Sequence, residues 1–134
     1  MEAASAEIVD ALFFARAEAM RSGGEYGVRF GADTALGAGE YMVSVFKKSA
    51  GNEALIANPL SGRPYQFNVH QASYGMGVAM VNPDFDGATA VVFNGGSGRA
   101  GAPELATAGR VTVSLGGASR TVTVDVETGR ISVQ

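Results

Sequence analysis

From about Ser5 to Ser22 the apolar residues recur with a helical period, whereas beyond Gly23-Gly24 they alternate in short runs. A chain with one amphipathic helix and many short strands has few ways to bury both. The helix must lay its apolar stripe on a sheet, and the strands must pair with one another. Ser5 is the expected N-cap, Glu7 sits in the first turn, and the glycine pair stops the helix just after Arg21. Stepping about 100° per residue gathers Ile8, Val9, Leu12, Phe13, Ala15, Ala19 and Met20 into one arc. Glu7, Asp10, Glu18 and Arg21 fall opposite. Two residues break the pattern. Phe14 lands among the charges, where it reads as a stray surface aromatic or as a functional contact. Arg16 lands inside the apolar arc, either snorkelling with its stem over apolar surface or serving a function.

The period-two runs are Tyr26–Phe30, Tyr41–Phe46, Ala54–Ala57, Tyr65–Val69, Gly77–Val81, Thr89–Phe93, Val111–Leu115, Arg120–Val126 and Arg130–Val133. Each is bounded by Gly, Asn, Pro or Asp, the residues of turns. Gly116-Gly117-Ala118-Ser119 and Glu127-Thr128-Gly129 join the last three closely enough for antiparallel hairpins. Nineteen glycines in 134 residues are an excess, but only four prolines accompany them, so the glycines read as turns and not as disorder. The predicted fold is α+β: one domain over residues 1–134, with a helix over about 5–22 and a β-rich region over about 25–134. In it the helix packs on one sheet of an antiparallel sandwich of seven to nine short strands. The stretch from Asn94 to Gly109 is expected to be a long Gly/Ala-rich loop.

Several chemistries are excluded or weakened at this level. With no cysteine, disulfides, thiolate zinc sites and a cysteine nucleophile are impossible. A net charge of −3 offers no global attraction to nucleic acid or an anionic membrane. No run of about 18 apolar residues is present, so nothing in the sequence spans a bilayer as a helix. Met1-Glu2-Ala3-Ala4-Ser5 lacks the basic start and apolar core of a signal peptide, which leaves a cytoplasmic protein or a domain separated from its targeting segment.

Gly96-Ser97-Gly98-Arg99-Ala100-Gly101 matches G-x-G-x-x-G, yet Pro103 and the strand at Val111 leave no room for the helix a dinucleotide site requires. Gly95 to Arg99 nearly spells G-x-S-x-G, but Arg99 replaces the final glycine and His70 is the only histidine available as a base. Asp84-Phe85-Asp86-Gly87 resembles the start of a calcium loop, but it has too few carboxylates, and Asn82-Pro83-Asp84 forms turns without an ion. No cofactor, metal or small-molecule substrate is therefore expected. Arg99, Arg110, Arg120 and Arg130 are the residues that would meet phosphates if nucleic acid were bound, although Glu104, Asp125 and Glu127 are interspersed among them.

The helix segment from Ala11 to Gly23, with Ala15-Arg16-Ala17-Glu18-Ala19 at its centre, resembles the signature of GspH/FimT pseudopilins. Val91-Val92-Phe93-Asn94 before a glycine-rich loop, Gly109-Arg110-Val111-Thr112-Val113-Ser114, Arg120-Thr121-Val122-Thr123-Val124-Asp125 and Thr128-Gly129-Arg130-Ile131 resemble that family in the same order. The segment from Lys47 to Phe85 carries no matching signature. The resemblance implies a non-enzymatic structural subunit of a type II secretion pseudopilus or type IV pilus. Its partners are other pilins or pseudopilins. The resemblance further implies an N-terminal hydrophobic helix, processed by a prepilin peptidase, that would anchor the protein to the inner membrane with this domain in the periplasm or the extracellular filament. In that setting Phe14, Glu7, Asp10, Glu18 and Arg21 are expected at the filament interface, and Arg16 is expected to hold helix to sheet. Some members of the family bind DNA during uptake, and here Arg130 and the other C-terminal arginines would do so. Those members tend to carry two basic residues in the tail motif, whereas Ser132 stands where the second would be.

Overall fold

A computed structural model of the chain describes residues 2–31, 36–37, 39, 41–49, 52–70, 79–84, 90–93, 109–115, 118–124 and 130–133. One helix, α1 (Glu2–Ser22), precedes nine strands among these residues: β1 (Glu25–Phe30), β2 (Met42–Ser49), β3 (Asn52–Leu55), β4 (Gln66–Asn68), β5 (Ala79–Asp84), β6 (Ala90–Phe93), β7 (Gly109–Leu115), β8 (Ala118–Val124) and β9 (Ile131–Val133). Every expected strand is present within a few residues. The helix starts earlier than its expected cap. Ser5 lies within it, buried and with its polar contact made, so it is a core-facing residue and not an N-cap.

At the other end Gly23 closes the helix as expected. Its φ of 75° is a left-handed conformation that glycine adopts without strain, and its N–H donates to the Ala19 carbonyl at 3.0 Å. The Ser22 hydroxyl donates to the Glu18 carbonyl at 2.7 Å and accepts from Gly24 N–H at 3.2 Å. The Glu18 and Ala19 carbonyls are thereby bonded where the chain turns directly into β1.

The strands form two antiparallel sheets. In the first, β3, β2, β1 and β6 follow one another, with β4 also paired to β2; in the second the order is β5-β7-β8-β9. α1 packs on β1, β2 and β6 of the first sheet and on β8 and β9 of the second. This differs from the expected packing on one sheet: the helix stripe is wide enough to serve as the shared wall of both. Ala4, Ile8, Ala11, Leu12, Ala15 and Ala19 on the helix are buried in one core with Val28, Phe30, Val43, Val45, Val91 and Phe93 of one sheet and Val122, Val124 and Ile131 of the other. Alternation explains the choice. Val28 pairs with both Val45 and Val91, so one face of three adjacent strands presents β-branched side chains to the helix.

The reverse face of the first sheet is also covered. Phe46, fully buried, lies opposite Gly27; a Cβ on Gly27 would sit 2.7 Å from the Phe46 ring and closer still to the Val91 carbonyl oxygen. Arg29 lies over the Phe46 ring at 5.7 Å and reaches Glu53 of β3 through hydrogen bonds of 2.8, 3.0 and 3.2 Å. Gln66 donates to the Ser44 hydroxyl at 2.9 Å and to the Leu36 carbonyl at 3.0 Å, which satisfies the buried polar groups of this layer.

Asn82-Pro83-Asp84 is strand, not the turn expected from its composition. β5 shifts register against β7 between Val81 and Asp84, an irregularity of the kind that lets a proline sit in a ladder without donating to it.

Candidate subunit interface

Because α1 faces two sheets, what remains of its circumference is the surface it offers to anything else. The exposed helix residues include Ala6, Asp10, Phe13, Ala17, Met20 and Arg21. Phe13 is 49% exposed and Met20 is 46% exposed, while Val9 beside them is half-buried. Ala6, Val9, Phe13 and Met20 advance by three, four and seven residues, so they line up along one side of the helix. The result is an apolar strip edged by Asp10, with Arg21 at the C-terminal end.

This assignment reverses the expected roles of the two phenylalanines. Phe14, expected on the solvent-facing arc, is half-buried and packed against the core; its ring lies 5.3 Å from that of Tyr65, tilted by 38°. Tyr65 is itself buried and stands 6.5 Å from the Phe67 ring. Phe13, expected within the core-facing arc, points outward, as does Met20. The alanine series accounts for part of this rotation. Ala4, Ala11, Ala15 and Ala19 lie on the buried face beside Ile8 and Leu12, and the four alanines let the backbone approach both sheets. The larger Phe13 and Met20 are left on the far side.

The charged residues expected beside Phe14 do not share one environment. Asp10 and Arg21 are exposed, whereas Glu7 and Glu18 are half-buried. Glu18 accepts from Arg21 Nε at 3.2 Å one turn away, and this hydrogen bond, with the attraction between the charges, raises the Arg21 pKa above its ordinary value. Arg21 therefore stays cationic at any working pH. Arg16 is half-buried on the flank opposite Phe14.

The arginines considered for phosphate contact are not drawn into one described surface. Arg99 lies outside the described residues. Arg110 is in β7 opposite Thr123, and Arg120 is in β8 opposite Val113, two positions from the buried Val122 and itself half-buried. Arg130, just before β9, is exposed. The glycine motif at Gly96–Gly101, the Gly95–Arg99 stretch and the Asp86-Gly87 end of the acidic turn also lie outside the described residues. Among those described, no group of His, Asp and Glu side chains is placed to hold a metal ion, and no helix is long and apolar enough to cross a membrane. His70 is exposed just after β4, with its ring stacked on Tyr41 at 4.5 Å.

A feature that the sequence did not reveal is the link between β3 and β4. Both pair with the same side of β2, β3 at Phe46–Ser49 and β4 at Met42–Ser44. Ile56 N–H donates to the Val45 carbonyl and Val45 N–H donates to the Tyr65 carbonyl, so the two strands are one edge strand interrupted at Val45. Between them residues 57–64 leave the sheet as a finger, closed at its base by the Ala57–Pro64 bridge and a Tyr65 N–H to Ile56 carbonyl bond of 2.7 Å. Leu60 at its tip is 96% exposed.

The family model of the type II transport protein GspH matches residues 4–129 of the chain. Among solved structures, the type IV minor pilin FimU of Pseudomonas aeruginosa is similar at 17% identity, with a TM-score of 0.64 over 100% of this chain and 92% of that one. A second crystal form of FimU gives a TM-score of 0.67 at 16% identity, covering 100% and 87% of the two chains. The minor pseudopilin EpsH of the Vibrio cholerae type 2 secretion system gives 0.61 at 16% identity, covering 98% and 93%. At such identities the structural likeness speaks for the fold. Comparison with curated proteins finds no match to the sequence.

Proposed function

The chain belongs to the family of the type II transport protein GspH, and on that premise we propose that it is a structural minor subunit of a type II secretion pseudopilus or type IV pilus. Such a subunit acts by shape and contact, and the proposal gives it no catalytic residue and no cofactor. One observation carries the assignment to a particular surface: the outward strip of α1 around Phe13 and Met20, large apolar side chains each nearly half exposed. An apolar strip at helical spacing, rimmed by a carboxylate at Asp10 and a cation at Arg21, is suited to the helix or sheet of a neighbouring subunit. The interface expected around Phe14 thus moves a quarter-turn or so to Phe13, keeping Asp10 and Arg21 on its rim.

By family membership the proposal also includes an apolar helical segment N-terminal to α1 that anchors the protein in the inner membrane. This domain then stands on the periplasmic side. Half-buried Arg16 is assigned to holding α1 to the sheets. DNA binding is not adopted, because a net charge of −3 offers phosphate no global attraction and Ser132 stands where DNA-binding members tend to carry a second basic residue.

The test uses the full-length protein in a cell lacking its own copy. The double substitution F13S/M20S should abolish incorporation into the filament while the purified domain melts within about 2 °C of the unaltered protein, as expected for surface changes. Normal incorporation of that variant would refute the assigned surface.

A further inference from the structure

The outward strip of α1 contains one side chain that redox chemistry can change. The sequence has no cysteine and no tryptophan, so the methionine thioether is its most readily oxidised group. Among the described side chains Met20 is exposed, whereas Met42 of β2 is half-buried. Three positions to either side of Met20 on the helix surface stand Ala17 and Gly23, neither large enough to cover it. Space at that end is open, since a Cβ added to Gly23 would meet nothing within 4 Å. A small oxidant therefore reaches Met20 without any movement of the fold. Phe13, the other large apolar side chain of the strip, has no sulfur to oxidise.

We infer that Met20 is a redox modification site that controls entry of the free subunit into the filament, with a hypohalous acid as oxidant. In the step with hypochlorous acid, the Met20 sulfur donates a lone pair to the hydroxyl oxygen. A sulfur–oxygen bond forms, the oxygen–chlorine bond breaks, chloride leaves with the bonding pair, and the hydroxyl proton passes to water. Sulfur is oxidised by two electrons and chlorine is reduced by the same two. The product is a sulfoxide, a flexible apolar side chain made polar. Docking against a neighbouring subunit strips water from the new oxygen, so the sulfoxide form binds less well than the thioether. Once the strip is covered Met20 is shielded, so the switch acts before assembly. A sulfoxide reductase supplied with a dithiol removes the oxygen as water, leaves a disulfide in the reductant and restores the thioether. The inference rests on the subunit surface proposed above and adds its regulation.

The full-length protein is made in a cell lacking its own copy and its methionine sulfoxide reductases. A short pulse of hypochlorous acid is quenched before filament assembly is induced. Mass spectrometry then measures Met20 sulfoxide in unassembled protein and in sheared filaments. The sulfoxide fraction in filaments should be about tenfold below that in the unassembled pool. Met20→Leu removes the sulfur, and each protein is compared with its own unpulsed sample. Incorporation of the parent should fall in proportion to the fraction oxidised, and that of Met20→Leu should not follow it. Equal sulfoxide fractions in the two pools, or a Met20→Leu protein that loses as much incorporation as the parent, would overturn the inference. If either occurs while F13S/M20S still blocks incorporation, the switch is wrong and the subunit surface stands; if F13S/M20S incorporates normally, the surface itself is wrong.

Discussion

Replacing Phe14 by alanine separates two ways of orienting α1, because the helix carries adjacent phenylalanines in opposite settings. Removing a fully buried phenylalanine costs about 3–5 kcal/mol. Phe14 is half-buried, so about 2 kcal/mol is the appropriate share, including its contact with Tyr65 at 5.3 Å. Alanine returns about 0.5 kcal/mol through its better helix propensity. The net loss of about 1.5 kcal/mol corresponds to a melting temperature roughly 5–8 °C lower for a chain of this length. Phe13→Ala loses far less contact and gains the same propensity, so its melting temperature should match or slightly exceed that of the parent. Thermal unfolding followed by far-ultraviolet circular dichroism measures both. A Phe14→Ala protein within about 2 °C of the parent, or a Phe13→Ala protein that falls as far as Phe14→Ala, would refute the orientation and with it the surface assigned to assembly.

Two further substitutions test the sheet on which the helix rests. Gly27→Ala places a methyl group against the Val91 backbone carbonyl and 2.7 Å from the buried Phe46 ring, and only the ring can move. A destabilisation of about 2–3 kcal/mol is expected by chemical denaturation, and a change below about 0.5 kcal/mol would show that β1 and β6 yield easily. Glu53→Ala leaves the half-buried Arg29 without its bidentate partner, with an expected loss of about 1–2 kcal/mol by the same measurement. The double variant Arg29→Met/Glu53→Ala should recover part of that loss, since the half-buried arginine charge is then gone.

The strands were legible because alternation and turn residues carry the same information in sequence as in space. Tyr26, Val28 and Phe30 announce a buried face of β1, and they occupy one. The helix was legible in extent but misjudged in rotation by its bulky members. Weighting residues by hydrophobicity draws the centre of the stripe toward Phe13 and Met20. Close packing instead favours the series Ala4, Ile8, Ala11, Ala15 and Ala19. That alanine series was the available signal. Pro83 misled in a similar way, because a proline in a strand depends on a register shift in its partner that sequence does not display. The finger was legible only as turn chemistry at Asn58-Pro59 and Gly62. Its projection follows from Ile56 and Tyr65 meeting across the same residue of β2, a long-range fact.

The interruption of the edge strand has a consequence for how this side of the sheet can meet another protein. A long, even edge exposes a row of unpaired amide and carbonyl groups, and such a row templates the addition of further strands until a cross-β deposit results. Here the edge beside β2 is divided into stubs of four and three residues with a projection between them. A foreign strand approaching that side meets the projection before it can zip. Whatever docks along this side must hold it through side chains, and contacts of that kind are more readily reversed than a continuous ladder.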